Sequence, residues 1–180
     1  MRRPRSWLIA GAVLLSACAA GPPLPEPAKP VELSRYLGRW YEIARTPNMF
    51  ERGCEAVTAD YALRADGLIS GTNSCRKGAL TGPLKQAQGR AKVAGGGGAK
   101  LKVSFFGPFF SDYWVLDRAP DYSWALVGGR NGWFWILSRE PRPANREALI
   151  RRAEALGYPR ERMIFPHHRV TPDGPAEAQP

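Results

Sequence analysis

From residue 33 onward, apolar and polar residues alternate in short runs, and Gly, Pro, Asp and Asn punctuate the gaps between them. A period of two over five to eight residues marks strands with one buried face. Eight such runs are legible: Gly38–Arg45, Ala56–Leu63, Leu68–Ser74, Gln86–Val93, Lys100–Phe106, Tyr113–Asp117, Ser123–Val127 and Trp133–Ser138. Helical spacing appears once. Pro143 opens a predicted helix over Ala144–Leu156, Leu149, Ala153 and Leu156 share one face, and Gly157 and Pro159 stop it. Arg162–Phe165 then reads as a short final strand. The pattern predicts an all-β fold: an eight-stranded antiparallel up-and-down barrel with one C-terminal α-helix and a short final strand. A closed barrel of eight strands has an interior that side chains fill or that one small ligand occupies.

The first 17 residues do not share this pattern. Arg2, Arg3 and Arg5 precede an apolar stretch, Trp7–Leu15, too short to span a bilayer as a helix. Leu15-Ser16-Ala17-Cys18 follows, small residues leading into a cysteine, which looks like a bacterial lipobox with Cys18 as the acylated residue. An ordinary secretory signal cut before a cysteine is the alternative. Two or more acyl chains hold a protein firmly on a bilayer, where one does not. Ala19, in place of the Asp that retains lipoproteins in the inner membrane, points to the outer membrane and its periplasmic face. Five of the ten residues 21–30 are proline, which favours an extended spacer over helix or sheet. The expected organisation is a signal peptide over 1–17, an acylated Pro-rich tether over 18–32, the barrel domain over 33–168 and a frayed tail over 169–180.

Composition narrows the partners. The 180-residue chain carries a formal charge of +10, and the three Arg of the leader account for three of those charges. Lys and Arg are scattered, with no basic helical stripe, so nucleic acid is excluded as a partner and anionic lipid head groups are the better match. Gly95–Gly98 is followed by neither Gly-Lys-Ser/Thr nor a helix, so it is a loose hairpin tip and not a phosphate loop.

Candidate chemistry is sparse. With Cys18 assigned to lipid, Cys54 and Cys75 form an even pair in an oxidising compartment. A hairpin whose paired residue numbers have a constant sum sets Cys54 opposite Cys75, Tyr61 opposite Leu68, and the turn at Arg64-Ala65 beside Asp66-Gly67. A disulfide is favoured over a zinc site, because no further Cys or His falls at ligand spacing. His167 and His168 are adjacent and would point to opposite faces of a strand. No nucleophile–base motif is present. Glu42 and Asp60 are candidate barrel-lining acids. The expectation is a binding protein with no catalytic residues, no metal and no cofactor.

Gly38-Arg39-Trp40-Tyr41-Glu42-Ile43-Ala44-Arg45 and the late Trp133-Phe-Trp-Ile-Leu-Ser-Arg139 together resemble the lipocalin signature, in its bacterial form. Phe50-Glu51-Arg52-Gly53, Lys102–Phe109, and Asp121-Tyr122 with Ala125-Leu126-Val127 extend the resemblance from about Leu33 to Phe165. It implies that Trp40, reached through Gly38, plugs the closed end of the barrel with Arg139 over its ring. Alternation further predicts an interior lined by Trp133, Trp135, Tyr113, Val115, Val103, Phe105, Tyr61 and Leu126. By resemblance the ligands are fatty acids or lysophospholipids, held for storage, transport or repair, with Lys85, Lys92, Lys100 and Lys102 as candidate rim cations. The alternatives are an envelope interaction protein with a filled core and a small-ligand enzyme on the same barrel. Homodimers occur in the family, and no residue here decides for or against one.

Overall fold

The computed structural model describes residues 24–169, the side chain of Asn131 excepted. A one-turn helix α1 (Leu33–Tyr36) leads into β1 (Gly38–Arg45), β2 (Cys54–Leu63), β3 (Ile69–Lys77), β4 (Leu84–Gly95), β5 (Lys100–Phe106), β6 (Phe109–Arg118), β7 (Trp124–Gly128) and β8 (Phe134–Ser138). Each strand pairs antiparallel with the next, and β8 pairs with β1, so the sheet closes into an eight-stranded barrel with no free edge. Helix α2 (Arg146–Ala155) lies outside it.

The two ends of the barrel differ. At one, α1 packs beneath the start of β1, and the turns 64–68, 96–99 and 119–123 gather. At the other, the loops 46–53, 78–83, 107–108 and 129–133 surround a mouth. Turn chemistry is local. Asp66 Oδ1 accepts the Leu68 N–H at 3.1 Å, and Gly67 takes the left-handed φ of 78° that this turn requires.

Apolar residues occupy both faces of the wall where α2 covers it. Leu149, Ile150 and Ala153 pack against Ile43, Leu116, Leu126, Phe134 and Ile136 on the outer side. Tyr36, Trp40, Val115, Ala125, Val127 and Leu137 form the inner cluster.

Several expectations need correction. The β2–β3 register pairs Tyr61 with Gly71, not Leu68, and it shifts by one residue between Glu55 and Thr58. Ala56, at φ 49°, forms that bulge, and its N–H is taken by the His167 carbonyl. The predicted final strand reduces to a single bridge between Arg45 and Ile164, preceded by a 3₁₀ turn over Arg160–Arg162. The helix begins at Arg146, because Asn145 holds non-helical angles. Residues 24–32 do not stand off as a spacer. They lie along the wall of β6, with Ala28 N–H bonded to the Leu116 carbonyl and Val31 N–H to Gly97. Cys18, the leader over 1–17 and the tail beyond Arg169 lie outside the described residues.

Candidate functional site

Strand register decides which side chains enter the lumen. Trp40 opposes Ala59, which opposes Asn73, which opposes Ala87, so these four face inward on neighbouring strands. Tyr61, Gly71 and Gly89 form the next inward row, and Ile69, Ala91 and Val103 the one below it. Leu101, Tyr113, Val115, Trp133, Trp135 and Leu137 complete the lining. Phe105 lies over Gly89, where an added Cβ would meet the ring at 2.8 Å, so the glycine makes room for the aromatic. Leu126 does not belong to this set. It is wholly buried on the outer face against α2, and its neighbours Ala125 and Val127 face the lumen instead. The inward-facing Tyr122 precedes the strand at φ 62° and so does not set the parity of β7.

The floor is closed. Trp40 is 0% exposed, and its Nε1 donates to the Tyr36 carbonyl at 2.8 Å. The Arg139 guanidinium sits 3.7 Å from the centroid of the Trp40 ring. Its Nη2 donates to the carbonyls of Arg35 at 2.9 Å and Leu37 at 2.8 Å, and Nη1 to that of Arg39 at 2.6 Å. The Arg35 and Leu37 carbonyls lie at the end of the short helix α1, where its single turn leaves carbonyls unpaired, and that of Arg39 lies in β1. Gly38, at φ 90°, brings the chain within reach, and Arg139 Nη1 would lie 3.5 Å from any Cβ placed there.

Above the floor the lumen carries polar groups. The hydroxyls of Tyr36 and Tyr113 are 2.8 Å apart and those of Tyr61 and Tyr113 3.1 Å apart, a three-membered chain. Burial pushes the Tyr61 phenol up to about 12 and those of Tyr36 and Tyr113 well above their ordinary value.

Nearer the mouth, Arg45 Nη1 donates to Glu42 Oε1 at 2.6 Å, and Nη2 to the Glu51 carbonyl at 2.8 Å. Trp135 Nε1 donates to Glu51 Oε2 at 3.1 Å, and Asn48 Nδ2 donates to the same oxygen. Burial raises the Glu42 carboxyl well above the usual range, the Glu51 charge adds to this, and Arg45 opposes it. Arg45 thus lies between two carboxyl groups, 2.6 Å from that of Glu42 and 3.9 Å from that of Glu51. Alternation alone could have placed Glu42 inside. Arg45 and Glu51 are reached through a bulge between Glu42 and Ala44 and through a loop, and no spacing rule marks them. Asp60 instead faces outward and pairs with Arg39 at 2.8 Å.

The rim lysines divide in the same way. Lys100 reaches Glu26, Lys102 reaches Asp112, and Lys92 lies over Phe110, all on the outer surface. Lys85 pairs with Cys75 on the inward register and donates to the Phe50 carbonyl at 2.6 Å, at the mouth.

Cys54 and Cys75 form a disulfide with a Cα–Cα separation of 5.4 Å. Cys54 pairs with Lys77, so the bridge runs diagonally across the ladder beside the Ala56 bulge. It lies below loop 46–53 and ties β2 to β3 at the mouth end. Among the described residues no group of three or more His, Cys, Asp or Glu could hold a metal ion.

Comparisons with known proteins agree with this architecture. The family model described as a lipocalin-like domain matches residues 31–168. The outer membrane lipoprotein Blc of Vibrio cholerae is 41% identical over 165 residues, covering 88% of this chain and 95% of the relative. The protein of the same name from Escherichia coli is 45% identical over 140 residues, covering 72% and 75%. Among solved structures, insecticyanin from the tobacco hornworm superposes with a TM-score of 0.67 at 21% identity, covering 83% of this chain and 87% of that one.

Proposed function

The chain belongs to the lipocalin-like family, and from that premise we propose that its lumen holds a fatty acid or a lysophospholipid. The family is one of binding proteins, not enzymes, and small hydrophobic ligands are its common cargo. The observation that carries the lipid reading is the graded lining of the lumen. An apolar floor of Trp40, Val115, Val127 and Leu137 lies beneath walls of Tyr61, Val103, Tyr113 and Trp135, which stay partly open to the mouth. An alkyl chain entering such walls gains ~25 cal/mol for each Å² of apolar surface buried. Lys85 is the cation a carboxylate or phosphate would meet on the way in.

In this reading Trp40 and Arg139 act as the plug that keeps water out of the floor. Cys18 is the acylated residue, on the strength of Leu15-Ser16-Ala17-Cys18. The names of the Vibrio and Escherichia relatives support an outer-membrane location, and the periplasmic face follows from the same lipoprotein reading. Storage, transport and repair of membrane lipid all use the same grip on one acyl chain.

Native mass spectrometry of protein purified from membranes tests the proposal directly, since a lumen of this kind retains a co-purifying lipid. After delipidation, titration with fatty acids and lysophospholipids of increasing length should change tryptophan fluorescence saturably. Affinity should rise by up to ~0.8 kcal/mol per methylene until the lumen is full. A flat response from folded, stripped protein would remove the lipid-carrier reading and favour an envelope interaction protein with a filled core. The anchor is tested separately: Cys18→Ser should abolish palmitate labelling, and unchanged labelling and fractionation would sink it.

A further inference from the structure

The mouth carries an exposed apolar surface that binding within the lumen does not use. Of the nine large apolar side chains left exposed among the described residues, six surround it: Met49 at 75%, Phe50, Leu84, Phe105, Phe106 at 66% and Phe109 at 79%. They come from three segments far apart in sequence, loop 46–53, the start of β4, and the Gly107-Pro108 turn with its flanking residues. Two of them, with Trp133, form an aromatic cluster at the mouth. The rings of Phe50 and Phe106 are 6.1 Å apart, and Phe50 stands edge-on to Trp133 at 5.7 Å. Scattered single apolar residues need no explanation, but six gathered at one end of the barrel do.

Basic side chains predominate at this end, although Arg130 is ion-paired with Asp112 on β6 and Glu55 stands at the start of β2. Arg52, Lys77, Lys85 and Arg130 edge the mouth, and the only acid in its four loops is Glu51. That carboxylate is turned inward to Trp135, Asn48 and Arg45. The closed end is different, with Asp66 and Asp121 at its turns.

The N-terminal strap supplies the direction. Leu24 packs on the outer cluster beside Gly128, the last residue of β7 before mouth loop 129–133. From there the chain runs down β6, bonding to Leu116 and then to Gly97, and turns under the floor as α1. It therefore enters the fold from the mouth side. Cys18 precedes Leu24 by six residues, which reach at most about 20 Å when fully extended. Gly128 is paired with Trp114, five residues below Phe109 on β6, or roughly 17 Å along the strand. An acyl group on Cys18 can thus lie in the plane of the rim.

We propose that the mouth is a membrane-docking surface: the apolar rim enters the head-group region of an anionic phospholipid bilayer while the basic residues meet the head-group phosphates. Interfacial elements of this composition bury ~5–10 Å into the head-group boundary, and each Lys or Arg near such a surface adds about 1 kcal/mol. Docked this way, the lumen opens onto lipid and not onto water, so an acyl chain passes between bilayer and barrel without exposure. The inference rests on the acyl-anchor reading for the direction in which the mouth is held, and not on which lipid the lumen prefers.

The test uses the full protein purified from membranes, its acylation read first by intact mass. A nitrobenzoxadiazole probe is attached at Phe109→Cys or, at the closed end, at Asp66→Cys. The protein is reconstituted in vesicles of phosphatidylcholine with phosphatidylglycerol that contain spin-labelled acyl chains. Quenching should be several-fold stronger at position 109 than at 66, and Met49→Ser with Phe106→Ser should weaken it while the circular dichroism spectrum is unchanged. Equal quenching at both positions, stronger quenching at 66, or none at either would overturn the docking proposal. A mass without acyl chains would remove the anchor reading alone. The same probes, with vesicles added to that protein, would then decide whether the rim docks by itself.

Discussion

Arg45 and Glu42 are joined by a 2.6 Å hydrogen bond inside the barrel, and the two side chains are only 1% and 4% exposed. Two strand positions that alternation would place on opposite faces thus meet in the lumen, because the bulge between Glu42 and Ala44 inserts one residue. The pair lies next to Glu51 and Trp135, so it fastens loop 46–53 over the side of the mouth.

This arrangement has a pH signature. The Glu42 carboxyl is raised in the fold above its unfolded value of about 4.3, chiefly by burial. Its contribution is fully present below the unfolded value and is lost as pH rises through the folded one. Urea denaturation at a series of pH values should show stability declining on that alkaline side, and Glu42→Gln should flatten the decline. Identical pH profiles for the two proteins would show that Glu42 is not protonated in the fold. Arg45→Ala, which leaves the carboxyl groups of Glu42 and Glu51 without their shared guanidinium, should cost roughly 3–5 kcal/mol.

Arg139 stacks on Trp40 and holds the carbonyls of Arg35, Leu37 and Arg39. Arg139→Ala should lower stability by roughly 2–4 kcal/mol, the sum of a cation–π contact and charged hydrogen bonds. Arg139→Lys keeps the charge but not the fork, and should recover less than half of the loss. Ligand affinity should change less than stability in both. A parental melting temperature for Arg139→Ala would mean that the contact does not hold the floor.

Leu126 and Trp135 separate the two faces of the wall. Leu126→Ala should destabilise by ~2–5 kcal/mol through the cavity it leaves beneath α2, with lipid affinity near that of the parent at temperatures where the protein is folded. Trp135→Ala should weaken lipid binding and keep the β-sheet circular dichroism signal. The reverse assignment of the two effects would return Leu126 to the lumen.

The Cys54–Cys75 bridge encloses a hairpin with a sequence separation of 21. Cleaving it should cost on the order of 3 kcal/mol. Non-reducing peptide mapping should recover one crosslinked pair, and both cysteines alkylating without reductant would contradict the bridge. Chemical denaturation with and without reductant gives the size of the effect.

Much of the fold was legible in local chemistry. The bounds of β1 and β5 were set by alternation between Gly38 and Thr46 and between Ala99 and Gly107, and the β2–β3 turn by Asp66-Gly67. The pairing of Cys54 with Cys75 was legible from their count, although the constant-sum register behind it was not the one the strands adopt. Hairpin neighbours and turn residues depend on a few adjacent positions, so one sequence suffices to find them.

What the sequence determined by itself was therefore the number and order of the strands and the C-terminal helix α2, while the one-turn helix α1 was not legible in it. The tertiary structure decided which face each strand turns inward. Leu126 and Ile136 are apolar because α2 covers the outer wall, and Ala125 and Leu137 because they line the inner one. Where both faces are buried, the apolar–polar pattern loses its phase. The bulges at Glu42–Ala44, Glu55–Thr58 and Val115–Asp117 each insert a residue and exchange the two faces beyond it. The Glu42–Arg45–Glu51 cluster, the tyrosine hydroxyl chain and the apolar rim join residues from separate strands and loops. Only closure of the barrel brings such distant segments together, since contacts between them are set by how the sheet curves and not by spacing along the chain.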